Sequence, residues 1–153
     1  MVTRISHSPE ETAAIGQEWA GEAQTGWVIG LSGDVGAGKT QLVKGIAKGL
    51  AIVSGVHSPT FSLVNIYEGG RLSLFHLDLY RLETREQIIA AGLEEYLSPN
   101  GVTVIEWAER WFGDLDMFKK GDRKPPEVGP LRWAKIQHMS DTERRISYED
   151  FGA

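Results

Sequence analysis

The sequence predicts an α/β fold in which a mixed sheet is flanked by helices and includes β-hairpins. Two observations predict it. Strand-like apolar runs alternate with helical patterns in the first half of the chain, and strand patterns joined by turn residues follow in the second half. The chain has 153 residues, of which 41% are hydrophobic, so we expect one domain over residues 1–153 with a buried core.

The first half begins with a helix and continues through a strand into a second helix. Ser8 is placed as an N-cap with Glu11 in the capping-box position, and the residues that follow predict an amphipathic helix over 9–22. The apolar run at 27–31 predicts a buried strand. After a glycine-rich stretch, a helix is predicted from apolar residues that share one face: Leu42, Val43, Ile46, Ala47 and Leu50.

Two hairpins are predicted in the second half. Strand-like segments at 60–67 and 72–78 are separated by Glu68-Gly69-Gly70, which supplies turn residues. A final pair at 131–139 and 144–148 flanks a short polar segment. These antiparallel pairs would make the sheet mixed rather than wholly parallel.

The segments between the hairpins predict a helix, a strand and a loop. Thr84 is expected to cap a helix that contains Ile88, and Gly92 weakens it by about 1 kcal/mol, so a break is expected there. Residues 102–106 predict a short buried strand. We interpret 113–130, which has three prolines and the basic cluster Lys119, Lys120, Arg123 and Lys124, as a solvated surface loop.

Composition excludes several functional classes. The absence of cysteine excludes a disulfide scaffold, a cysteine-based zinc site and a thiol nucleophile. The formal net charge of −5 argues against nucleic-acid binding mainly through the protein's own surface, so a partner would supply most phosphate contacts. The apolar runs are short and the N-terminus has no apolar leader, so we expect neither a membrane span nor secretion.

A glycine-rich motif follows the strand at 27–31: Gly33-Asp34-Val35-Gly36-Ala37-Gly38-Lys39-Thr40. It matches the P-loop pattern G-x-x-x-x-G-K-[S/T] in full. Its glycines let backbone amides point at phosphate oxygens, Lys39 reaches the β- and γ-phosphates, and the Thr40 hydroxyl ligates Mg²⁺. The motif predicts a nucleotide phosphate site on a P-loop NTPase-like sheet, because it lies between a predicted strand and a predicted helix.

A P-loop needs a further carboxylate on the magnesium side, and two residues qualify. Asp78 and Glu106 each end an apolar strand, at the sheet edge where open α/β sheets bind ligands. One would hold the metal while the other orients the attacking water, and composition leaves both assignments open. The structural alternative for either residue is helix capping or an ion pair with Arg81 or Arg110. The guanine-reading Asn-Lys-x-Asp motif is absent, which modestly favours ATP.

Three nearby side chains have simpler interpretations. His76, two residues before Asp78, is expected to be a hydrogen-bonded histidine in the core. Trp107 and Trp111 lie four residues apart, and this spacing favours packing along one helix.

The joint occurrence of four segments resembles the TsaE (formerly YjeE) family over roughly residues 8–112: the P-loop, Ser58-Pro59-Thr60-Phe61, His76-Leu77-Asp78-Leu79-Tyr80-Arg81-Leu82 and Ile105-Glu106-Trp107. The resemblance implies a bacterial cytoplasmic Mg²⁺-dependent ATPase that is weak alone and stimulated in complex with TsaB and TsaD. It further implies a requirement in N6-threonylcarbamoyladenosine modification of tRNAs that read ANN codons, with tRNA contacted only through the complex.

By matching positions, the resemblance also implies site residues. Thr40 and Glu106 would ligate Mg²⁺, while Asp78 and Lys39 would serve hydrolysis. The loop around Ser58-Pro59-Thr60 would be a nucleotide-sensing switch, and Trp107 would lie beside the metal ligand. The ATP-binding residues would be Gly33, Gly36, Ala37, Gly38, Lys39, Thr40 and Gln41, the last standing where many members have a second threonine.

Two alternatives from other classes remain open. A metabolite kinase would bring a lid with several arginines, whereas the region after the P-loop helix predicts a hairpin. A nucleotide-dependent binding module without meaningful turnover would use the same motif, and ATP hydrolysis with and without partners distinguishes it.

Overall fold

The computed structural model describes residues 2–33, 38–53, 63–113 and 130–152. Its strands are β1 (Val2–Ser6), β2 (Trp27–Ser32), β3 (Val64–Tyr67), β4 (Leu74–Asp78), β5 (Val102–Glu106), β6 (Leu131–His138) and β7 (Arg144–Phe151). Its α-helices are α1 (Pro9–Glu22), α2 (Lys39–Gly49), α3 (Arg85–Ala90) and α4 (Glu109–Phe112), and a 3₁₀ helix spans Leu93–Leu97.

The described strands form one mixed sheet in the order β1-β7-β6-β2-β5-β4-β3. Strands β6, β2, β5 and β4 are parallel neighbours at its centre. The outer strands β3, β7 and β1 add antiparallel pairs. The predicted mixed α/β sheet and both predicted hairpins are therefore confirmed.

Side chains of the central strands alternate between the two faces of the sheet. Helices cover each face, so the protein has one hydrophobic core on either side of the sheet. Ile29 and Leu31 of β2 pack with α1 and α2, whereas Val28 packs on the opposite face with α3, the 3₁₀ helix and α4. All of β5 is buried, as expected for a parallel strand covered on both sides.

Helices α1 and α2 cross at glycine contacts that leave no room for side chains. A Cβ atom on Gly45 would lie 1.9 Å from the carbonyl oxygen of Ala13, and one on Gly16 would lie 2.3 Å from that of Leu42. The start of α1 thereby comes close to the start of α2, and Thr12 Cγ2 is 3.9 Å from where a Cβ of Gly38 would be. This crossing positions one wall of the site described below.

The predicted helix boundaries are confirmed. Ser8 Oγ accepts from the Glu11 amide at 3.1 Å, although the Glu11 carboxylate accepts from the amide of His7 rather than from that of Ser8. Thr84 Oγ1 accepts from the Gln87 amide at 3.2 Å. Gly92, at φ +78°, separates α3 from the 3₁₀ helix, because the left-handed conformation ends an α-helix.

Two features differ from the sequence-based expectations. Strand β1 was not predicted, since all its residues except Ser6 are exposed and its partner β7 lies at the other end of the chain. Trp107 precedes α4 instead of sharing a helix with Trp111, so the expected packing along one helix is wrong for Trp107.

Several predictions fall outside the described residues. These are the nucleotide-site assignments of Gly36 and Ala37, the Ser58-Pro59-Thr60 switch, the first part of the strand predicted at 60–67, and nearly all of the loop at 113–130. Within the described ranges, no helix combines the length and apolarity needed to cross a bilayer.

Candidate functional site

A cavity of about 600 Å³ opens where β2, β4 and β5 end and α2 begins. This is the edge at which open α/β sheets bind ligands. Its lining comes from the start of α2, the ends of β4 and β5, the start of α1 and the β6–β7 turn: Ser8, Pro9, Thr12, Gly38, Lys39, Thr40, Gln41, Asp78, Tyr80, Glu106, Trp107, Asp141, Thr142 and Arg144.

The start of α2 presents backbone amides to the cavity. Gly38 is its N-cap at φ +105°, a left-handed conformation that a residue with a side chain rarely adopts. Gly33, at the end of β2, has φ +145°. Thr40 and Gln41 follow on the first turn and line the cavity. A helix start of this kind attracts anions through its first backbone amides and the helix dipole.

Lys39 lines the cavity and is only 6% exposed. Its Nζ donates to the carbonyl oxygen of Gly33 at 2.6 Å and lies 3.8 Å from the centre of the Trp107 ring. The ring face is electron-rich and attracts the ammonium group. These contacts hold the cation beside the amides of the α2 start.

Trp107 is in an uncommon backbone conformation for a residue with a side chain, at φ +60°. It follows Glu106 directly and lines the cavity. Its ring is 5.1 Å from that of Tyr80, and the Arg110 guanidinium lies 5.5 Å from it. A backbone conformation of this kind persists only where the surrounding structure holds it, and such conformations cluster at functional sites.

The two candidate carboxylates are brought together as neighbours on adjacent parallel strands. Asp78 of β4 is in register with Glu106 of β5, and both line the cavity. Glu106 is 3% exposed, whereas Asp78 is half-buried and its Oδ1 accepts from the Tyr80 amide at 3.0 Å. Burial raises the pKa of Asp78, and the nearby charge of Glu106 raises it further.

The partner of Glu106 is His76, which is fully buried in β4. The distance from His76 Nε2 to Glu106 Oε2 is 2.5 Å. The expectation of a buried, hydrogen-bonded histidine is therefore confirmed. Arg110, one of the alternative partners considered for the carboxylates, instead donates to the carbonyl oxygen of Leu82 at 3.2 Å.

The oxygen donors around the cavity fit a hard divalent cation such as Mg²⁺. They are the Thr40 hydroxyl and the carboxylates of Asp78 and Glu106. The described residues contain no cluster of three or more His, Cys, Asp or Glu side chains able to enclose a metal alone. The set thus fits an ion held jointly by one or two carboxylates and the phosphates of a ligand, which is how Mg²⁺ is usually bound.

Sequence reasoning missed the wall contributed by α1 and the β6–β7 turn. Ser8 was identified only as a helix cap, and Asp141 and Thr142 lie in the short polar segment predicted between the last two strands. Arg144 lines the same wall, and its Nη1 donates to the carbonyl oxygen of Ser140 at 2.7 Å. No local pattern marks these residues, because only the strand order brings the final hairpin beside β2.

The fold and cavity define the class: an α/β protein of the P-loop type, with Gly38, Lys39 and Thr40 of the motif and two strand-end carboxylates around one cavity. Residues 6–144 match the family profile described as "Threonylcarbamoyl adenosine biosynthesis protein TsaE". The chain belongs to the TsaE family, whose members take part in tRNA threonylcarbamoyladenosine biosynthesis.

Individual relatives support the same family membership. The chain is 46% identical over 101 residues to the tRNA threonylcarbamoyladenosine biosynthesis protein TsaE of Bacillus subtilis, covering 66% of this chain and 63% of that protein. It is 52% identical over 96 residues to the Nostoc protein of the same name, covering 59% and 58% respectively. The chain thus matches about three fifths of the length of these relatives. The crystal structure of Bacillus subtilis YdiB superposes with a TM-score of 0.72 at 33% identity, covering 96% of this chain and 83% of that one.

Proposed function

We propose that this protein binds ATP with Mg²⁺ and hydrolyses it as the ATPase subunit required for N6-threonylcarbamoyladenosine modification of tRNAs that read ANN codons. The observation that supports this most directly is the convergence of Lys39, Thr40, Asp78 and Glu106 on one cavity at the start of α2. Membership of the TsaE family supplies the pathway.

The phosphates would bind at the start of α2. The amides there and the ammonium group of Lys39 are the donors suited to β- and γ-phosphate oxygens. Gly33, Gly38, Thr40 and Gln41 belong to the same proposed site, together with Gly36 and Ala37 of the motif. Because Lys39 is almost buried, its charge would act with little screening by water as negative charge develops in the transition state.

Thr40 and Glu106 would hold the Mg²⁺ ion. When bound, the ion would neutralise part of the negative charge of the phosphates. Asp78 is the residue proposed to orient the attacking water. Its Oδ1 is engaged by the Tyr80 amide, which fixes the carboxylate and leaves Oδ2 for the water. The raised pKa of Asp78 makes this carboxylate a better proton acceptor than an ordinary surface aspartate.

The nucleoside would extend toward the wall formed by Ser8, Thr12, Asp141 and Arg144. This wall lines the same cavity as the proposed phosphate site. The cavity volume of about 600 Å³ is within the range of small-molecule sites, roughly 300–1,000 Å³. The side-chain hydroxyls and charged groups of this wall could hydrogen-bond a ribose and a base edge.

The proposed partners are TsaB and TsaD, with tRNA contacted only through their complex. The net charge of −5 supports the indirect contact, because a chain that bound tRNA alone would be expected to be basic. We place this reaction in the cytoplasm, where tRNA modification would occur. Turnover is expected to be weak in the isolated protein and stimulated in the complex.

The experiment is ATP hydrolysis by the pure protein in Mg²⁺ and in EDTA, with and without TsaB–TsaD from the same organism. Low turnover alone, clear stimulation by the pair and loss of turnover in EDTA would support the proposal. Tight ATP binding without hydrolysis in the presence of the pair would instead favour a nucleotide-dependent binding module.

Asp78→Asn serves as the test variant in the same assay. Stimulated turnover should fall by roughly 100-fold or more while nucleotide affinity stays within about threefold, because an amide cannot take up a proton. Glu86→Gln is a matched control, since Glu86 is an exposed carboxylate on α3 that does not line the cavity. Unchanged turnover in Asp78→Asn would contradict the hydrolytic assignment.

A further inference from the structure

We propose that His76 is a positioning residue that orients the Glu106 carboxylate toward the metal. This inference rests on the proposed function, because it concerns the Mg²⁺ site of the nucleotide complex. The proposed function assigns no task to His76, which lies below the cavity rather than on its surface.

The contact between the two side chains is fixed by the sheet. His76 is in register with Val104, and Asp78 is in register with Glu106, so His76 and Glu106 face each other diagonally across β4 and β5. The Nε2 to Oε2 distance is 2.5 Å, and the two residues are 0% and 3% exposed. Strand pairing thus holds the ring and the carboxylate together without access of bulk water.

The geometry also identifies the nitrogen that carries the proton. An ionised carboxylate can only accept hydrogen bonds, so Nε2 must donate to Glu106. His76 Nδ1 is buried and has no hydrogen-bond partner in the described part of the chain. A proton on Nδ1 would leave a buried donor unsatisfied, at a cost of about 1–3 kcal/mol. The contacts therefore favour the Nε2–H tautomer.

This hydrogen bond divides the carboxylate into two oxygens with different tasks. Oε2 is held by His76, while Glu106 lines the cavity on the side of Thr40 and Asp78. Fixing one oxygen leaves Oε1 to the cavity and restricts the side chain to one orientation. Partners of this kind that sit behind a metal ligand typically change metal affinity or activity by about 10- to 100-fold when they are removed.

A structural explanation alone accounts less well for a histidine at this position. The same strand face contains Leu74, and an apolar side chain at position 76 would fill the core without an unpartnered Nδ1. Within the described part of the chain, the hydrogen bond of His76 is directed at a residue that lines the cavity.

The test compares His76→Gln with His76→Leu. The amide nitrogen of glutamine lies near the place of Nε2 and keeps the donor, whereas leucine fills space without one. Affinity for a fluorescent ATP analogue is measured in EDTA and across a Mg²⁺ titration, with thermal unfolding to verify that each variant is folded. His138→Leu is the matched control, since His138 is exposed at the end of β6.

In EDTA, all variants should bind the analogue within about threefold of the wild type. The Mg²⁺ concentration that gives half of the maximal change in analogue affinity should rise roughly 10-fold or more in His76→Leu. In His76→Gln it should stay near the wild-type value. An equal rise of this Mg²⁺ concentration in both variants, or no rise in His76→Leu, would overturn the inference but leave the proposed function standing. A wild-type protein that binds no nucleotide or ignores Mg²⁺ would overturn the proposed function and the inference with it.

A second measurement uses the wild-type chain, so it does not depend on the leucine variant folding. Long-range ¹H–¹⁵N correlation spectra of histidine-labelled protein report which ring nitrogen of His76 is protonated. The Nε2–H tautomer is expected, with a proton shifted strongly downfield by the short hydrogen bond. A spectrum of the Nδ1–H tautomer would overturn the inference, because Nε2 could not then donate to Glu106.

Discussion

Two cationic side chains are almost buried beside tryptophans at opposite ends of the parallel strands. Arg132 lies at the amino end of β6 and is 5% exposed, while Lys39 lies beyond the carboxyl end of β2 and is 6% exposed. The two positions share burial, charge and an aromatic neighbour. They differ in what surrounds the charge.

Arg132 is held by carboxylates and aromatic rings of the chain itself. Its Nε and Nη2 donate to the two carboxylate oxygens of Asp150 at 2.8 and 2.9 Å, and Nη1 lies 2.7 Å from Glu22 Oε2. Its guanidinium lies 4.2 Å from the ring centre of Tyr148 and 5.3 Å from that of Trp19. Arg132 therefore joins the end of α1 to β6 and β7.

Each of the two cations also lines a cavity, of about 470 Å³ at Arg132 and about 600 Å³ at Lys39. The Nζ of Lys39 contacts the Gly33 carbonyl oxygen and the ring of Trp107. The cavity at Lys39 is also lined by Thr40, Asp78 and Glu106. The carboxylates that line the cavity at Arg132 are those of Glu22 and Asp150, its own ion-pair partners. The comparison teaches that burial, an aromatic neighbour and an adjoining cavity do not distinguish a structural cation from a ligand-binding one, whereas the other groups that line the cavity do.

The largest effect is expected from Arg132→Met, which leaves Glu22 and Asp150 without their shared cation. The free energy of unfolding should fall by about 2–3 kcal/mol, below the range for fully buried pairs because both carboxylates are half exposed. Urea unfolding measures the loss. Nucleotide affinity should stay within about twofold, and a large loss of affinity in a folded variant would contradict the separation of the two regions.

Lys39→Met should produce the opposite pattern. Nucleotide affinity should fall by about 10- to 100-fold, because charged hydrogen bonds contribute about 1.5–3 kcal/mol each. Stability should change by less than about 1 kcal/mol, since methionine can fill the space beside Trp107. Isothermal titration with ADP and urea unfolding give the two numbers. Lys48→Met, at the far end of α2, is the matched control.

Trp107→Phe sharpens the comparison between the tryptophans. Trp19, Trp111 and Trp133 are fully buried, and Trp27 lies near Arg132 at the other end of the strands. Nucleotide binding should therefore change the intrinsic fluorescence through Trp107, and the variant should lose that change. Affinity should alter by less than about fivefold, because a cation–π contact contributes about 0.5–1 kcal/mol when partly exposed. A full fluorescence response in the variant would place the ligand elsewhere.

Local patterns predicted most of the central fold. The P-loop motif, the capping residues Ser8 and Thr84 and the apolar runs that became β2 and β5 all follow from neighbouring residues. Strand β1 was missed because an exposed edge strand has little apolar pattern, and its pairing depends on a segment at the other end of the chain.

The site was predictable only in part. Lys39, Thr40, Asp78 and Glu106 could be proposed because each stands at the end of a strand or at the start of a helix. The wall of Asp141, Thr142 and Arg144 could not, because it requires β6 to lie beside β2. The left-handed conformation of Trp107 likewise results from the surrounding packing and leaves no local signal.

The smallest expected effect concerns the pH dependence of stability at Asp78. Burial raises the pKa of this carboxyl group in the folded state, so the folded protein binds the proton more readily than the unfolded chain. Ionised Asp78 therefore lowers stability at neutral pH, and this penalty disappears as the pH falls from the raised pKa through the usual aspartate range. Asp78→Asn removes the penalty while its side-chain oxygen can still accept from the Tyr80 amide.

The variant should be more stable than the wild type at pH 7, by less than about 1 kcal/mol because Asp78 is only half-buried and solvent screens it. The difference should vanish at a pH below the usual aspartate pKa, which urea unfolding at both pH values would measure. Glu22→Gln at the Arg132 end should instead reduce stability at pH 7, since it removes half of an ion-pair set that stabilises the fold. If both substitutions destabilised the protein at pH 7, Asp78 would be a structural carboxylate like Glu22. Opposite signs would mean that the protein retains the charge of Asp78 at the expense of stability, as expected for a group kept for a ligand.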